Sequence, residues 1–167
     1  LQTPYLSMGW TDRSNLDEST LNDPAFNHWN QLIRALPDDS SHPINRQQLH
    51  SSATELLGIA YRWGGRSLSG IDCSGLIQKV FIDQGLQLPR NSRDQRKCGN
   101  RIAIGQRIPG DLVFAVGRKK KIHHVALFLG DTMIHACLGV GRVIQEGWTD
   151  FTEKYKVIAV RRIADFS

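Results

Sequence analysis

The strand-like patterns of this chain follow its helical ones, and that order restricts the fold more than any other feature. Apolar runs at 112–116, 122–129, 132–137, 143–144 and 157–160 are short and rich in β-branched and aromatic residues, and turns such as Pro109-Gly110-Asp111 and Gly130-Asp131 bound them. Helical periodicity is confined to the part before them. Helices first and an antiparallel meander afterwards make an α+β pattern, not alternating βαβ units.

Three helices are predicted. Asp23-Pro24 reads as an N-cap with proline at the first helical position, and Phe26, Trp29, Leu32, Ile33 and Leu36 then recur at helical spacing until Pro37. A turn-rich linker covers 37–45, so 1–45 reads as an N-terminal appendage to a main domain over 46–167. A second helix is predicted over 46–60, with Leu49, Ala53, Leu56, Leu57 and Ala60 on one face. The third covers about 73–84, with Leu76, Ile77, Val80 and Phe81 on its apolar side and Gly85 as its stop.

The approach to this third helix is where the chemistry concentrates. Between Tyr61 and Leu76 the chain carries Gly64, Gly65, Gly70 and Gly75, which permit turns and close backbone approach. Cys73 stands at or just before the helix start, where unpaired N–H groups and the helix dipole favour an anion. That placement predicts a thiol easier to ionise than a free one. Trp63 is expected to pack beneath the loop.

A nucleophilic cysteine needs a base, and the base an orienting group. If Gly130-Asp131 is a two-residue turn, Ala126 faces His135 across the hairpin and His124 faces Cys137. His124 and His135 then share one face as diagonal neighbours, and His123 points to the other. His124 is the candidate base, with His135 to hold its tautomer. His28, His42 and His50 all precede the cysteine.

Composition narrows the classes. A chain of 167 residues that is 40% hydrophobic and 22% charged can build one core, and no apolar run approaches the ~18 residues of a transmembrane helix. A formal charge of +5 suits anionic partners without choosing among them. The Arg118–Lys121 run reads as a solvated loop. Three cysteines, Cys73, Cys98 and Cys137, leave at least one thiol unpaired and have no metal-ligand spacing, so neither a metal nor a cofactor is expected. A basic module binding nucleic acid or wall polymer has no use for Cys73, His124 and His135 together.

The motifs Tyr61-Arg-Trp-Gly-Gly, Gly70-Ile-Asp-Cys-Ser-Gly75, Leu88-Pro-Arg90, Pro109-Gly-Asp-Leu-Val-Phe114, His124-Val-Ala-Leu-Phe-Leu-Gly130 and Ile134-His-Ala136 occur in that order. In these motifs residues 46–163 resemble the NlpC/P60 family of cell-wall cysteine peptidases. The resemblance implies a papain-like fold, with helices packed on a central antiparallel sheet, and a Cys73-His124-His135 triad. It also implies Tyr61 at the oxyanion site, and Asp72, Ser74, Arg90 and Ser92 in the substrate cleft. The implied substrate is a peptidoglycan stem peptide, cut between D-γ-glutamyl and a diamino acid by a bacterial enzyme of the cell envelope, periplasmic or secreted, or of the cytoplasm if it recycles muropeptides. Amidase and acyltransferase chemistry would use the same triad. A monomer without nucleic acid is expected, and the 1–45 stretch reads as the remnant or linker of an SH3-like domain.

Overall fold

The computed structural model describes residues 44–117 and 123–166. The chain divides into two compact units, Leu1–Asp39 and Ser40–Ser167, and the described residues lie in the second. The predicted helix after Pro24 and the basic run at 118–121 fall outside them.

Two helices open the described part. Helix α1 spans Arg46–Thr54, with Asn45 as its N-cap through a 2.9 Å bond from the Gln48 N–H, and it buries Leu49 and Ala53. It is shorter than the 46–60 expected. Gly58 takes a positive φ of 82°, and Ala60 is drawn into a bridge with Arg142. Backbone pairing with a distant strand therefore overrides the helical apolar pattern. A small hairpin, β1 (Arg66–Ser67) and β2 (Gly70–Ile71), follows.

Helix α2, Cys73–Ile82, begins at the cysteine. Asp72 caps it, accepting the Gly75 N–H at 2.7 Å. Its Leu76, Ile77, Val80 and Phe81 are fully buried, each worth roughly 1.5–3 kcal/mol of hydrophobic stabilisation. The short α3 (Ser92–Gln95), β3 (Asn100–Ile102) and a 3₁₀ turn (Ile104–Gln106) lead to the main strands.

Those strands are β4 (Leu112–Gly117), β5 (His123–Phe128), β6 (Thr132–Cys137), β7 (Arg142–Gly147) and β8 (Tyr155–Arg162), with α4 (Trp148–Lys154) between the last two. The sheet order is β3-β8-β4-β5-β6-β7, and every pairing is antiparallel. One face carries Leu112, Phe114, Val125, Leu127, Ile134 and Ala136 against α1 and α2. The alternate residues Val113, Ala115, Ala126, Phe128 and Met133 form a second core with Phe151 of α4. Strict alternation thus gives a sheet buried on both faces. The β5–β6 register is Leu127↔Ile134 and Phe128↔Met133, as a two-residue turn at Gly130-Asp131 requires.

The glycine loop is pressed against α2. A Cβ on Gly75 would stand 2.3 Å from the Gly65 carbonyl oxygen, and one on Gly65 would stand 2.4 Å from that of Gly70. Backbone oxygens cannot yield as a flexible side chain can. Gly75→Ala is therefore expected to destabilise the fold by about 1–3 kcal/mol, read from urea unfolding at neutral pH.

Candidate active site

Cys73 sits half-buried at the junction of α2 and β5. The β5–β6 ladder covers only two pairs, and past its end the Val125 N–H points at the Cys73 sulfur, as does that of Ser74. Both donors favour the thiolate, but burial outweighs them and, with the Asp72 charge, pushes the thiol up to about 11. This corrects the expectation of an easily ionised thiol: the helix start supplies donors, and desolvation of the packed site dominates.

Next to Val125 on β5 is His124. Its Nε2 lies 2.8 Å from Nδ1 of His135 on β6, and Nε2 of His135 lies 2.8 Å from Oε1 of Glu146 on β7. Lys154 of α4 is ion-paired with the other oxygen of Glu146. His124 is stacked on Tyr155 at 4.7 Å between ring centroids, and His135 meets Phe151 edge-on at 5.3 Å. The histidines are therefore clamped by aromatic rings on the α4 side of the sheet, and Cys73, at the start of α2, meets β5 at Val125, the residue after His124.

Both imidazoles are held in the neutral form. Burial, then the neighbouring His135, lowers His124 to about 3. Burial, then Lys154, lowers His135 to about 4. Once unfolded, each takes up a proton near 6.5. Between the folded and unfolded values the unfolded chain binds more protons, so stability rises with pH through that window. The contribution is fully present above about 6.5 and disappears as pH falls through the folded values. For His135 the drop from 6.5 to about 4 is worth about 3 kcal/mol at roughly 1.4 kcal/mol per pH unit. His135→Gln is expected to flatten the fall of the urea midpoint between pH 7 and pH 4; a variant as acid-sensitive as wild type would contradict this.

The other predicted residues divide. Tyr61 is joined to Gly141 through a 2.7 Å backbone bond and to Ile71 by a bridge. Burial, then the charge of Cys73, pushes its hydroxyl up to about 12, so it remains a proton donor at neutral pH. Asp72, Ser74 and Arg90 form one buried knot: Arg90 Nη1 donates to Asp72 Oδ1 at 2.9 Å and to Ser74 Oγ at 2.8 Å, and the Gly64 N–H donates to Asp72 Oδ2 at 2.9 Å. Asp72, which the resemblance puts in the substrate cleft, is the N-cap of α2. Ser92 stands half-buried at the start of α3, outside this knot, with its carbonyl accepting the Arg96 N–H. Trp63, expected beneath the loop, is 80% exposed, because the space under the loop is filled by backbone. The three cysteines are free thiols, and Cys137 lies 3.9 Å from the Tyr155 hydroxyl. Among the described residues no three His, Cys, Asp or Glu side chains converge as a metal site.

Glu146, Lys154 and Tyr155 were not anticipated. The sequence pattern predicts a strand at 143–144 only; the strand runs to Gly147 and puts Glu146 on the His135 face, as the Met133↔Glu146 pairing shows. Nothing comparable signals Lys154, which reaches Glu146 from α4.

These elements define a class: an α+β domain of the papain-like kind, with a cysteine at the start of a helix packed on an antiparallel sheet that carries the histidines. The NlpC/P60 family model matches residues 58–162, and this chain belongs to the NlpC/P60 family. Its relatives include the γ-D-glutamyl-L-lysine dipeptidyl-peptidase of Bacillus subtilis, 40% identical over 83 residues that make up 48% of this chain and 28% of that protein. They also include the murein DD-endopeptidase MepS/murein LD-carboxypeptidase of Escherichia coli, 38% identical over 90 residues, 52% of this chain and 47% of that protein. The crystal structure of an NlpC/P60 family protein from Bacillus cereus superposes with a TM-score of 0.65 at 29% identity, covering 73% of this chain and 41% of that one. The chain thus spans less than half the length of each of these relatives. Among the described residues no helix is long and apolar enough to cross a membrane.

Proposed function

We propose that this chain is a cysteine peptidase of the bacterial cell envelope that hydrolyses peptidoglycan stem peptides at the D-γ-glutamyl–diamino acid bond. The observation that carries this reading is the hydrogen bond between His124 Nε2 and His135 Nδ1, at the point where β5 meets Cys73. It leaves Nδ1 as the one ring nitrogen of His124 available to the thiol. The Bacillus subtilis relative, named for a γ-D-glutamyl-L-lysine substrate, supports the choice of bond.

Because thiol and imidazole both rest uncharged, His124 acts as a general base during attack. The Cys73 sulfur bonds to the γ-carbonyl carbon while its proton moves to Nδ1 of His124. The oxyanion is met by the Tyr61 hydroxyl and a backbone N–H at the start of α2; such a donor is worth about 3 kcal/mol. The C–N bond breaks as His124 protonates the leaving amine. Water, deprotonated by His124, then attacks the thioester and frees Cys73. Asp72, Ser74 and Arg90, bound to one another, brace the wall of the cleft beside the nucleophile, with Ser92 at its outer end. The domain works as a monomer on this reading and needs no cofactor.

The test is digestion of purified muropeptides, with products identified by mass spectrometry. A newly freed diamino-acid amine is the expected product. Cleavage between two D-residues, the reaction for which the Escherichia coli relative is named, or removal of the whole stem from the sugar would move the assignment to another bond on the same machinery.

A further inference from the structure

The hydrogen-bonded chain does not stop at the second histidine. Glu146 is nearly enclosed, its side chain 9% exposed, and both its oxygens are engaged, Oε1 by His135 Nε2 and Oε2 by Lys154 Nζ. A carboxylate paired with an ammonium group only accepts hydrogen bonds. The proton in the contact to Glu146 therefore resides on His135 Nε2. Neutral His135 then has a bare Nδ1, which accepts. The proton between the two rings must in turn sit on His124 Nε2, which leaves the Nδ1 lone pair of His124 as the base that the proposed mechanism needs for Cys73. One carboxylate thus dictates the tautomers of two rings in series, and the aromatic clamp of Phe151 and Tyr155 restricts both rings from turning away.

We propose that Glu146, tethered by Lys154, is the positioning residue that sets both histidine tautomers and so keeps the Nδ1 of His124 as the base for Cys73. The proposal rests on the reading of Cys73 and His124 given above. Without Glu146, His135 can carry its proton on Nδ1 and donate it to His124 Nε2. His124 would then hold its own proton on Nδ1 and present the thiol with a donor in place of a base. Two strands and a helix converge on this outcome: β6 brings His135, β7 brings Glu146 and α4 brings Lys154.

The experiment has two readouts. Long-range proton–nitrogen correlation spectra of the free protein report which ring nitrogens carry hydrogen, with no substrate needed. Wild type is expected to show His124 and His135 both protonated on Nε2 and bare on Nδ1; Glu146→Ala is expected to populate the opposite tautomers. In steady-state cleavage Glu146→Ala should lose about 10–100-fold in kcat with KM within about twofold, whereas Glu146→Gln, which keeps an acceptor oxygen for His135, should recover most of that loss. A wild-type His135 protonated on Nδ1 would overturn the proposal. So would a Glu146→Ala protein with unchanged tautomers, or one whose kcat loss Glu146→Gln fails to recover at all. Absence of cleavage by wild type counts against the functional reading instead, since the tautomers are read without substrate.

Discussion

Replacing Cys73 with alanine is expected to lower stem-peptide cleavage by at least about 10⁴-fold while leaving the fold intact. In the proposed mechanism the sulfur is the atom that forms the thioester, and neither histidine is assigned a covalent role. What would survive in the variant is the oxyanion stabilisation proposed for Tyr61 and backbone N–H groups, which without a nucleophile accelerates the reaction only modestly. The substitution is small, and the N-cap does not depend on it, because Asp72 bonds the Gly75 backbone. Steady-state cleavage followed by chromatography measures the effect, and urea unfolding establishes that the variant is folded. Retained activity would assign the chemistry to another group, with Cys137 the first to examine because it lies near Tyr155.

The largest effect on stability is expected at Arg90. Its side chain is 4% exposed, and its guanidinium binds both oxygens of Asp72 as well as Ser74. Arg90→Met leaves the Asp72 carboxylate in the protein interior with only backbone and hydroxyl donors, a change that typically costs 3–5 kcal/mol. That is a large share of the roughly 5–15 kcal/mol that holds such a domain together. The double variant Arg90→Met/Asp72→Asn removes the whole charge pair and keeps a residue that caps helices well. It is expected to regain more than half of the loss. Urea midpoints for wild type and the two variants decide the matter; a single-variant loss below about 1 kcal/mol would mean that the pair is better solvated than its burial implies. Because Asp72 also accepts the Gly64 N–H, Arg90→Met should also loosen the loop ahead of Cys73, and its activity should fall before it unfolds.

Much of the scaffold was legible because strand and turn chemistry act locally. Alternation along 112–137 separates the two cores of the sheet, since successive side chains must point to opposite faces. Gly130-Asp131 sets the hairpin register, and with it the meeting of His124 and His135. The place of Cys73 at the start of α2 follows from the glycines before it and the apolar spacing after it. The resemblance carried in the six motifs pointed to the same fold and the same three side chains.

Other features depend on residues far apart in the chain, and tertiary packing alone decided them. Helix α1 ends at Thr54 because Ala60 and Tyr61 are recruited by the β6–β7 end of the sheet. Trp63 is exposed because Gly65 and Gly75 bring backbone against backbone, and the Arg62 side chain lies on Gly70, so that the space beneath the loop is filled. The Cys73 thiol is pushed up and not down because a helix start is a local feature, whereas the desolvation that opposes it comes from the elements packed around the thiol. Glu146 and Lys154 lie eight positions apart on different elements, and only the turn from β7 into α4 makes them a pair. The sequence by itself determined where Cys73, His124 and His135 fall, at a helix start and on one face of a hairpin, through short-range periodicity and turns. The tertiary structure decided their protonation, because charge and burial are summed over neighbours that no local pattern names.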